Sequence, residues 1–144
     1  MESKQPVTIT VEVSIDAPVS VVWKHWTTPA DIQLWNHASE DWHTTYAKND
    51  LREGGRFLYR MEAKDGSFGF DFCGTYDQVI PARLIEYTLD DERKVRISFQ
   101  NRGDSIRLIE SFEAETLNPV ELQQFGWQAI LYNFKKYTEA VLAE

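Results

Sequence analysis

The stretch SIRLIESFEAETLNPVELQQFGWQAILYNFKKYTEAV, residues 105–141, decides the fold, because a strand in it leads directly into the one long helix of the chain. Ile106, Leu108 and Phe112 fall on one side of the strand, since side chains alternate along β structure. Asn118 and Pro119 are typical of a helix start, at the cap and first helical positions. The predicted helix then carries an apolar stripe at helical spacing: Leu122, Phe125, Ala129, Ile130, Phe134, Tyr137 and Val141.

Upstream of this stretch, the spacing of the apolar residues changes from the strand period to the helix period and back to the strand period. Residues 7–15 alternate as a half-buried strand, and two short helices follow, the second with Thr28 as cap, Pro29 first and Asp31 as the capping acid. Residues 42–115 contain only strand patterns separated by turns such as Asp65-Gly66. Strands joined by hairpins form an antiparallel sheet, so the class is α+β, with about six or seven strands. The C-terminal helix is the only large element able to cover such a sheet.

Size, charge and cysteine content restrict the class of protein. The 144 residues suit one domain, residues 1–144, with a substantial core. A formal net charge of −8 and the absence of a basic stripe argue against nucleic-acid binding. The apolar runs are too short for membrane insertion, no signal-type segment is present, and Cys73 alone forms no intrachain disulfide. We therefore expect a cytosolic, cytoplasmic protein.

Glu110 is the anomaly of the decisive strand, because it shares a face with Leu108 and Phe112. A buried carboxylate costs several kcal/mol unless it is paired or neutralised, on the order given for buried ions. Three interpretations follow: a structural partner such as an arginine or a tyrosine hydroxyl, a position near the sheet edge that reaches water, or an anchor for a ligand.

Aromatic residues are numerous, with five tryptophans in the chain. They indicate either a thick core or an aromatic pocket, since ligand sites are mostly apolar with a few polar groups. The best candidates for a pocket lining are on the inner face of the predicted sheet or on the covering helix: Tyr59, Met61, Phe70, Phe72 and Trp127.

The three histidines, His25, His37 and His43, lack the spacing of a metal site, and we predict no metal. His43 lies beside Trp42 at the start of a strand and joins the candidate ligand-binding residues. It is also the possible general base of an enzyme that would use Glu110 with His43. Catalysis is left open, and no catalytic residue is assigned.

Four segments in order resemble the START-like (SRPBCC) superfamily, and within it the Aha-like family, named for the activator of the heat-shock chaperone ATPase. They are IDAPVSVVWKHWTTPADIQLWN, NDLREGGRFLYRM, CGTYDQVIPARLIEYT and GWQAILYNFKKY, which together span about residues 8 to 140. The resemblance implies the helix-grip fold, in which a curved antiparallel sheet wraps a long C-terminal helix around a cavity.

The same resemblance implies a function. Members of the superfamily bind hydrophobic small molecules, and a minority are enzymes. We therefore expect an aromatic or lipid-like ligand in a cavity under the helix, no cofactor, and a monomer or homodimer. The alternatives are an enzyme of the same fold, cyclase- or hydrolase-like, and a co-chaperone-type module linked to the stress response. The eukaryotic co-chaperone uses a further domain for much of its chaperone binding, and 144 residues leave no room for one.

Overall fold

The computed structural model describes residues 7–143 and contains seven strands and three helices in that range. In chain order the elements are β1 (Thr8–Ile15), α1 (Val19–Thr27), α2 (Pro29–Trp35), β2 (Trp42–Asn49), β3 (Arg56–Ala63), β4 (Gly69–Ile80), β5 (Leu84–Leu89), β6 (Lys94–Asn101), β7 (Ile106–Glu113) and α3 (Val120–Ala143). The predicted α+β class and the helix-grip architecture are confirmed.

The strands form one curled antiparallel sheet in the order β1-β7-β6-β5-β4-β3-β2. Strands β2 to β7 follow one another as a meander, and β1 joins at the far edge by pairing with β7. Helices α1 and α2 therefore carry the chain from one edge of the sheet to the other. The curl leaves a concave inner face, and α3 packs against β1, α1 and α2 at that face.

The inner face of β7 follows the alternation that its sequence predicts. Ile106 and Leu108 are fully buried, Phe112 is 1% exposed, and Glu110 is 5% exposed between them. Glu110 lies opposite Val11 of β1 and Ile97 of β6 in the register. Strand β7 lies next to the edge strand β1, but β1 covers it and Glu110 is only 5% exposed, so the interpretation of this carboxylate as an edge residue that reaches the surrounding water is wrong.

Helix α3 closes the core through its middle turns. Leu131, Phe134 and Thr138 are fully buried. The Phe134 ring lies 5.0 Å from that of Trp26 and 4.8 Å from that of Trp35, in both cases edge to face. Such pairs add to the stabilisation that comes from burial alone.

The predicted apolar stripe of this helix is wrong at both ends. Leu122 is 57% exposed, Phe125 73% and Val141 40%. At about 100° per residue, Phe125 lies about 180° around the helix from Phe134, and Leu122 lies about 180° from Leu131, so both face away from the core. Val141 is exposed because it lies in the last turn of the helix. In the first turns the inward position belongs to Gln123, which is 8% exposed.

The helix starts differ in detail from their predictions. Helix α3 begins at Val120, with Pro119 rather than Asn118 at the cap position. Helix α2 begins at Pro29 after Thr28 as predicted, but no side chain caps it. Asp31 instead accepts a hydrogen bond from the Tyr137 hydroxyl and so ties α2 to α3. Among residues 7–143, no helix is both long and apolar enough to cross a membrane.

The pair Gly54-Gly55 forms a turn that only glycine fits. Gly54 has a φ of +80°, and a Cβ on Gly55 would lie 2.1 Å from the carbonyl oxygen of Asp50. The turn is held to β4 by two backbone hydrogen bonds of 2.9 Å with Tyr76. The turn thus fixes the start of β3, the strand that carries Tyr59 and Met61.

Candidate functional site

A pocket of about 260 Å³ lies between the concave face of the sheet and the first half of α3. Strands β3, β4, β5 and β7 contribute its sheet side, and α3 contributes Trp127 and Ile130. Its most buried lining residues, such as Ile85 at 2% exposure, mark the inner end, whereas Phe70 at 40% marks the mouth. Eight of the 17 lining residues are aromatic.

Six of the seven residues predicted to bind a ligand line this pocket: Tyr59, Met61, Phe70, Phe72, Glu110 and Trp127. The seventh, His43, is not part of the lining. It lies in β2 at the position paired with Glu62 of β3. The structure therefore brings Glu110 together with the aromatic candidates but does not bring it together with His43. A binding role for these residues stays a prediction.

Sequence reasoning missed other lining residues. Ile85 and Tyr87 of β5 alternate in the same way as the residues that were identified, so their pattern could have assigned them. Trp26 and Trp35 belong to the core and the inner end of the pocket at once, and no pattern distinguishes those uses. Polar residues come from loops and a helix start, where no periodic signal exists: Arg93, Glu115, Asn118 and Gln123.

Glu110 is the one buried carboxylate of the pocket wall. Among residues 7–143, no hydrogen bond and no ion pair is made to its carboxylate. Burial raises the pKa of the Glu110 carboxyl to about 8. Desolvation dominates here because no donor offsets it. The structural partner that the sequence left open is absent from this part of the chain.

Three tyrosines face the same space from β3, β4 and β5. Burial, with smaller contributions from neighbouring hydroxyls and Glu110, raises the pKa of Tyr59 well above its ordinary value. Burial likewise raises the pKa of Tyr87, and Glu110 contributes there too. Tyr76 is hydrogen-bonded to Asn49, and its pKa rises mainly through burial. All three hydroxyls are therefore neutral at physiological pH and supply dipoles rather than charge.

The second acid of the pocket, Glu115, has a structural role at the mouth. Its carboxylate accepts hydrogen bonds of 2.9 Å from the backbone N–H groups of Leu117 and Asn118. Desolvation alone would raise its pKa, but these donors and other smaller contributions lower it overall. The Gln123 amide donates to the carbonyls of Glu115 and Asn118 and accepts from the Glu115 N–H. The loop between β7 and α3 is thus held in place by polar contacts.

Arg93, the cation of the lining, already has a partner. Its Nε donates to Asp91 at 2.8 Å. Trp127 is fixed differently, by stacking on Phe112 with ring centroids 3.8 Å apart and planes 10° from parallel. Its free edge meets Phe72 at 5.9 Å. The wall of the pocket is thus preorganised, while Glu110 keeps its hydrogen-bonding capacity unused.

A metal centre finds no support in the part of the chain described. No group of three or more His, Cys, Asp or Glu side chains within residues 7–143 is arranged to hold an ion. His25 is buried and bonded to Thr138, 3.0 Å from its Nδ1. Desolvation by burial lowers the pKa of His25, so this ring is a neutral member of the core.

Comparison with known proteins places the chain in a family. A family model described as "Activator of Hsp90 ATPase homolog 1-like protein" matches residues 16–139. The chain belongs to this family. The AHSA1-like assignment agrees with the Aha-like resemblance drawn from the four sequence segments. No curated protein matches the chain at a significant level.

Solved structures share this AHSA1-like fold along nearly the whole chain. An AHSA1-like protein from Aeromonas hydrophila is 43% identical, with 96% of each chain covered and a TM-score of 0.89. A protein from Cytophaga hutchinsonii is 55% identical, with 95% of each chain covered and a TM-score of 0.81. A Chromobacterium violaceum protein, at 23% identity and a TM-score of 0.83, shares the fold. The fold and family together support a ligand-binding or co-chaperone-like domain.

Proposed function

We propose that this AHSA1-like chain is a single cytosolic domain that binds a hydrophobic small molecule in the pocket between the sheet and α3. The observation that carries the proposal is an aromatic wall around one buried carboxylate, Glu110, that no residue in 7–143 satisfies. Ligand pockets combine an apolar lining with a few convergent polar groups in this way. The ligand's apolar body lies against Tyr59, Phe72 and Trp127, and Glu110 binds its polar group. No cofactor is required.

The volume of about 260 Å³ is close to the lower end of ordinary ligand pockets, roughly 300–1,000 Å³. A compact aromatic molecule or one short apolar chain is therefore a better fit than a large lipid. Enzymatic use of Glu110 with His43 has less support, because His43 lies outside the lining and an acid–base pair must converge on the substrate.

Binding of the neutral dye N-phenyl-1-naphthylamine tests the pocket. We expect dye emission to rise on saturable binding, and we expect Trp127→Phe, which alters a lining ring, to weaken the affinity for the dye. The matched control is Trp23→Phe, since Trp23 packs against Phe99 and is not a lining residue. Equal effects of the two substitutions, or no saturable dye binding by the folded protein, would contradict the proposal.

A second candidate function is protein binding, to an Hsp90-type chaperone of the same cell. The family description names an activator of that chaperone's ATPase. On this chain the favourable observation is the outer face of α3 and the preceding loop, where Leu117 is 90% exposed, Leu122 57%, Phe125 73% and Tyr132 53%. Exposed apolar side chains of this density are typical of interaction sites.

A titration of the wild-type protein into that chaperone, followed by calorimetry and by ATPase rate, tests this candidate. Phe125→Ser should weaken binding about tenfold if the outer face of α3 is the contact, the loss expected for an interface anchor worth over 1 kcal/mol. Glu110→Gln should bind as the wild type does. Absence of binding, or equal binding by Phe125→Ser, would exclude this surface as the contact.

A further inference from the structure

Glu110 has no positively charged partner among residues 7–143, although the other charged side chains of the pocket lining have partners. Its neighbours across the sheet, Val11 and Ile97, are apolar, and Arg93 is already paired with Asp91. A buried carboxylate without a partner is strongly disfavoured in its charged form, whereas an opposite charge within about 4–6 Å restores it. A ligand that brings that charge gains an interaction that no residue within 7–143 supplies.

The rings around Glu110 suit the same kind of ligand. Phe72 lies 6.2 Å from Tyr59, 6.4 Å from Tyr87 and 5.9 Å from Trp127, measured between ring centroids. The four rings therefore border one space, and all four residues line the pocket. Aromatic faces attract cations through their quadrupoles, and tryptophan does so most strongly.

The other polar groups that surround Glu110 also favour a positively charged ligand. Strands β3, β4 and β5 present the neutral hydroxyls of Tyr59, Tyr76 and Tyr87, and α3 presents the uncharged Gln123 and Trp127. At the mouth, Arg93 and Glu115 each have partners of their own. The net charge of −8 further favours the approach of a cation over that of an anion.

From this arrangement we propose that the ligand is an organic amine with an aromatic or compact apolar body, its ammonium group bound to Glu110 inside the aromatic wall. This inference rests on the proposed small-molecule pocket and adds the chemical class of its occupant. The ammonium donates its hydrogen bonds to the carboxylate, and the body of the ligand displaces water from the rings. A carboxylic acid of the same shape would instead meet a like charge or a competing acid.

Three probes of one shape separate the possibilities: 4-phenylbutylamine, 4-phenyl-1-butanol and 4-phenylbutyrate, titrated calorimetrically at pH 7.5. We expect the Kd of the amine to be at least about tenfold lower than that of the alcohol, as a charge-assisted hydrogen bond gives. Phenylbutyrate should bind most weakly. In Glu110→Gln the amine should lose its advantage while the alcohol still binds, which shows that the pocket is intact.

The pH dependence provides a readout that a merely structural Glu110 would not give. Free Glu110 is mostly protonated below pH 8, so ammonium binding must release its proton. The affinity for the amine should therefore rise between pH 6 and 8, by up to about tenfold per pH unit, and level off above that. The alcohol should show no such rise, and neither should the amine with Glu110→Gln.

The outcomes distinguish this inference from the function on which it rests. If the alcohol or the carboxylate binds as tightly as the amine, the amine class is wrong although the pocket binds ligands. If neither the three probes nor the neutral dye binds to folded protein, the small-molecule function itself fails. An amine preference that survives Glu110→Gln would place the cation elsewhere and overturn the assignment to Glu110.

Discussion

Phe134→Ala is expected to lower the free energy of unfolding by about 3–5 kcal/mol, the range for removing a large buried aromatic side chain. Phe134 is fully buried and packs edge to face against Trp26 and Trp35, so its loss opens a cavity at the contact between α3 and the two short helices. Such a loss is a large part of the roughly 5–15 kcal/mol that stabilises a typical domain. Chemical denaturation followed by tryptophan emission measures it.

Phe125→Ala is the matched control, since it changes the same residue type on the same helix two turns earlier. Phe125 is 73% exposed, and alanine is the better helix former, so its unfolding free energy should change by no more than about 0.5 kcal/mol. Similar losses for both variants would mean that the first turns of α3 are as well packed as its middle. A small loss for Phe134→Ala would mean that α3 does not close the core.

This pair of residues also shows how far helical periodicity goes as a predictor. The strand register was predictable because a one-residue slip would move every inner residue of β7 outward. Apolar residues occur on two sides of α3, and their spacing does not tell which side packs inward. Phe134 lies on the side that packs against the short helices, whereas Phe125 lies about 180° around the helix, on the exposed side. The choice between the two sides depends on tertiary packing, which the sequence pattern does not encode.

The candidate site was predictable in part for a related reason. Tyr59 and Phe72 could be assigned because the inward side chains of a concave sheet point into one space, and Trp127 could be assigned because it lies on the helix that covers that space. Glu110 was recognisable as an anomaly, since the pattern places a carboxylate where an apolar residue is expected. Whether it had a partner depended on Arg93, which reaches the pocket from a turn and pairs with Asp91. Contacts made by turns carry no periodic signal, so the sequence left that question open.

Glu110→Gln is expected to stabilise the ligand-free protein by an amount that grows with pH. The folded-state pKa of about 8 lies above the ordinary value of 4.5, so the folded state binds the Glu110 proton more tightly than the unfolded state does. The resulting contribution to stability is fully present below pH 4.5 and is lost as the pH rises to 8. Glutamine resembles the protonated acid in shape and never ionises.

The two proteins should therefore unfold with similar free energies near pH 4.5. They should then diverge by up to about 1.4 kcal/mol per pH unit and reach a difference of about 4–5 kcal/mol at pH 8, as an upper limit. Taking the difference between the two proteins removes the titration of all other carboxylates. Glu110→Leu should show the same trend and add apolar contact with the rings. Denaturant titrations of the three proteins at half-unit steps between pH 4.5 and 8.5 measure it.

If the difference in unfolding free energy between wild type and Glu110→Gln does not change with pH, water or a donor satisfies the carboxylate in the folded protein. A destabilised Glu110→Gln at pH 8 would mean that the ionised carboxylate holds a partner in the fold, and the case for a ligand anchor would fall with it. The expected divergence would instead mean that the ionised carboxylate has no partner in the ligand-free fold. The fold retains a side chain that weakens it above neutral pH, and a residue of that kind is typical of a site selected for binding at some cost in stability.

Because this cost in stability arises from the missing counter-charge, adding 4-phenylbutylamine should reverse it at pH 8. The wild type should then gain stability in proportion to the logarithm of the amine concentration, while Glu110→Gln should gain far less.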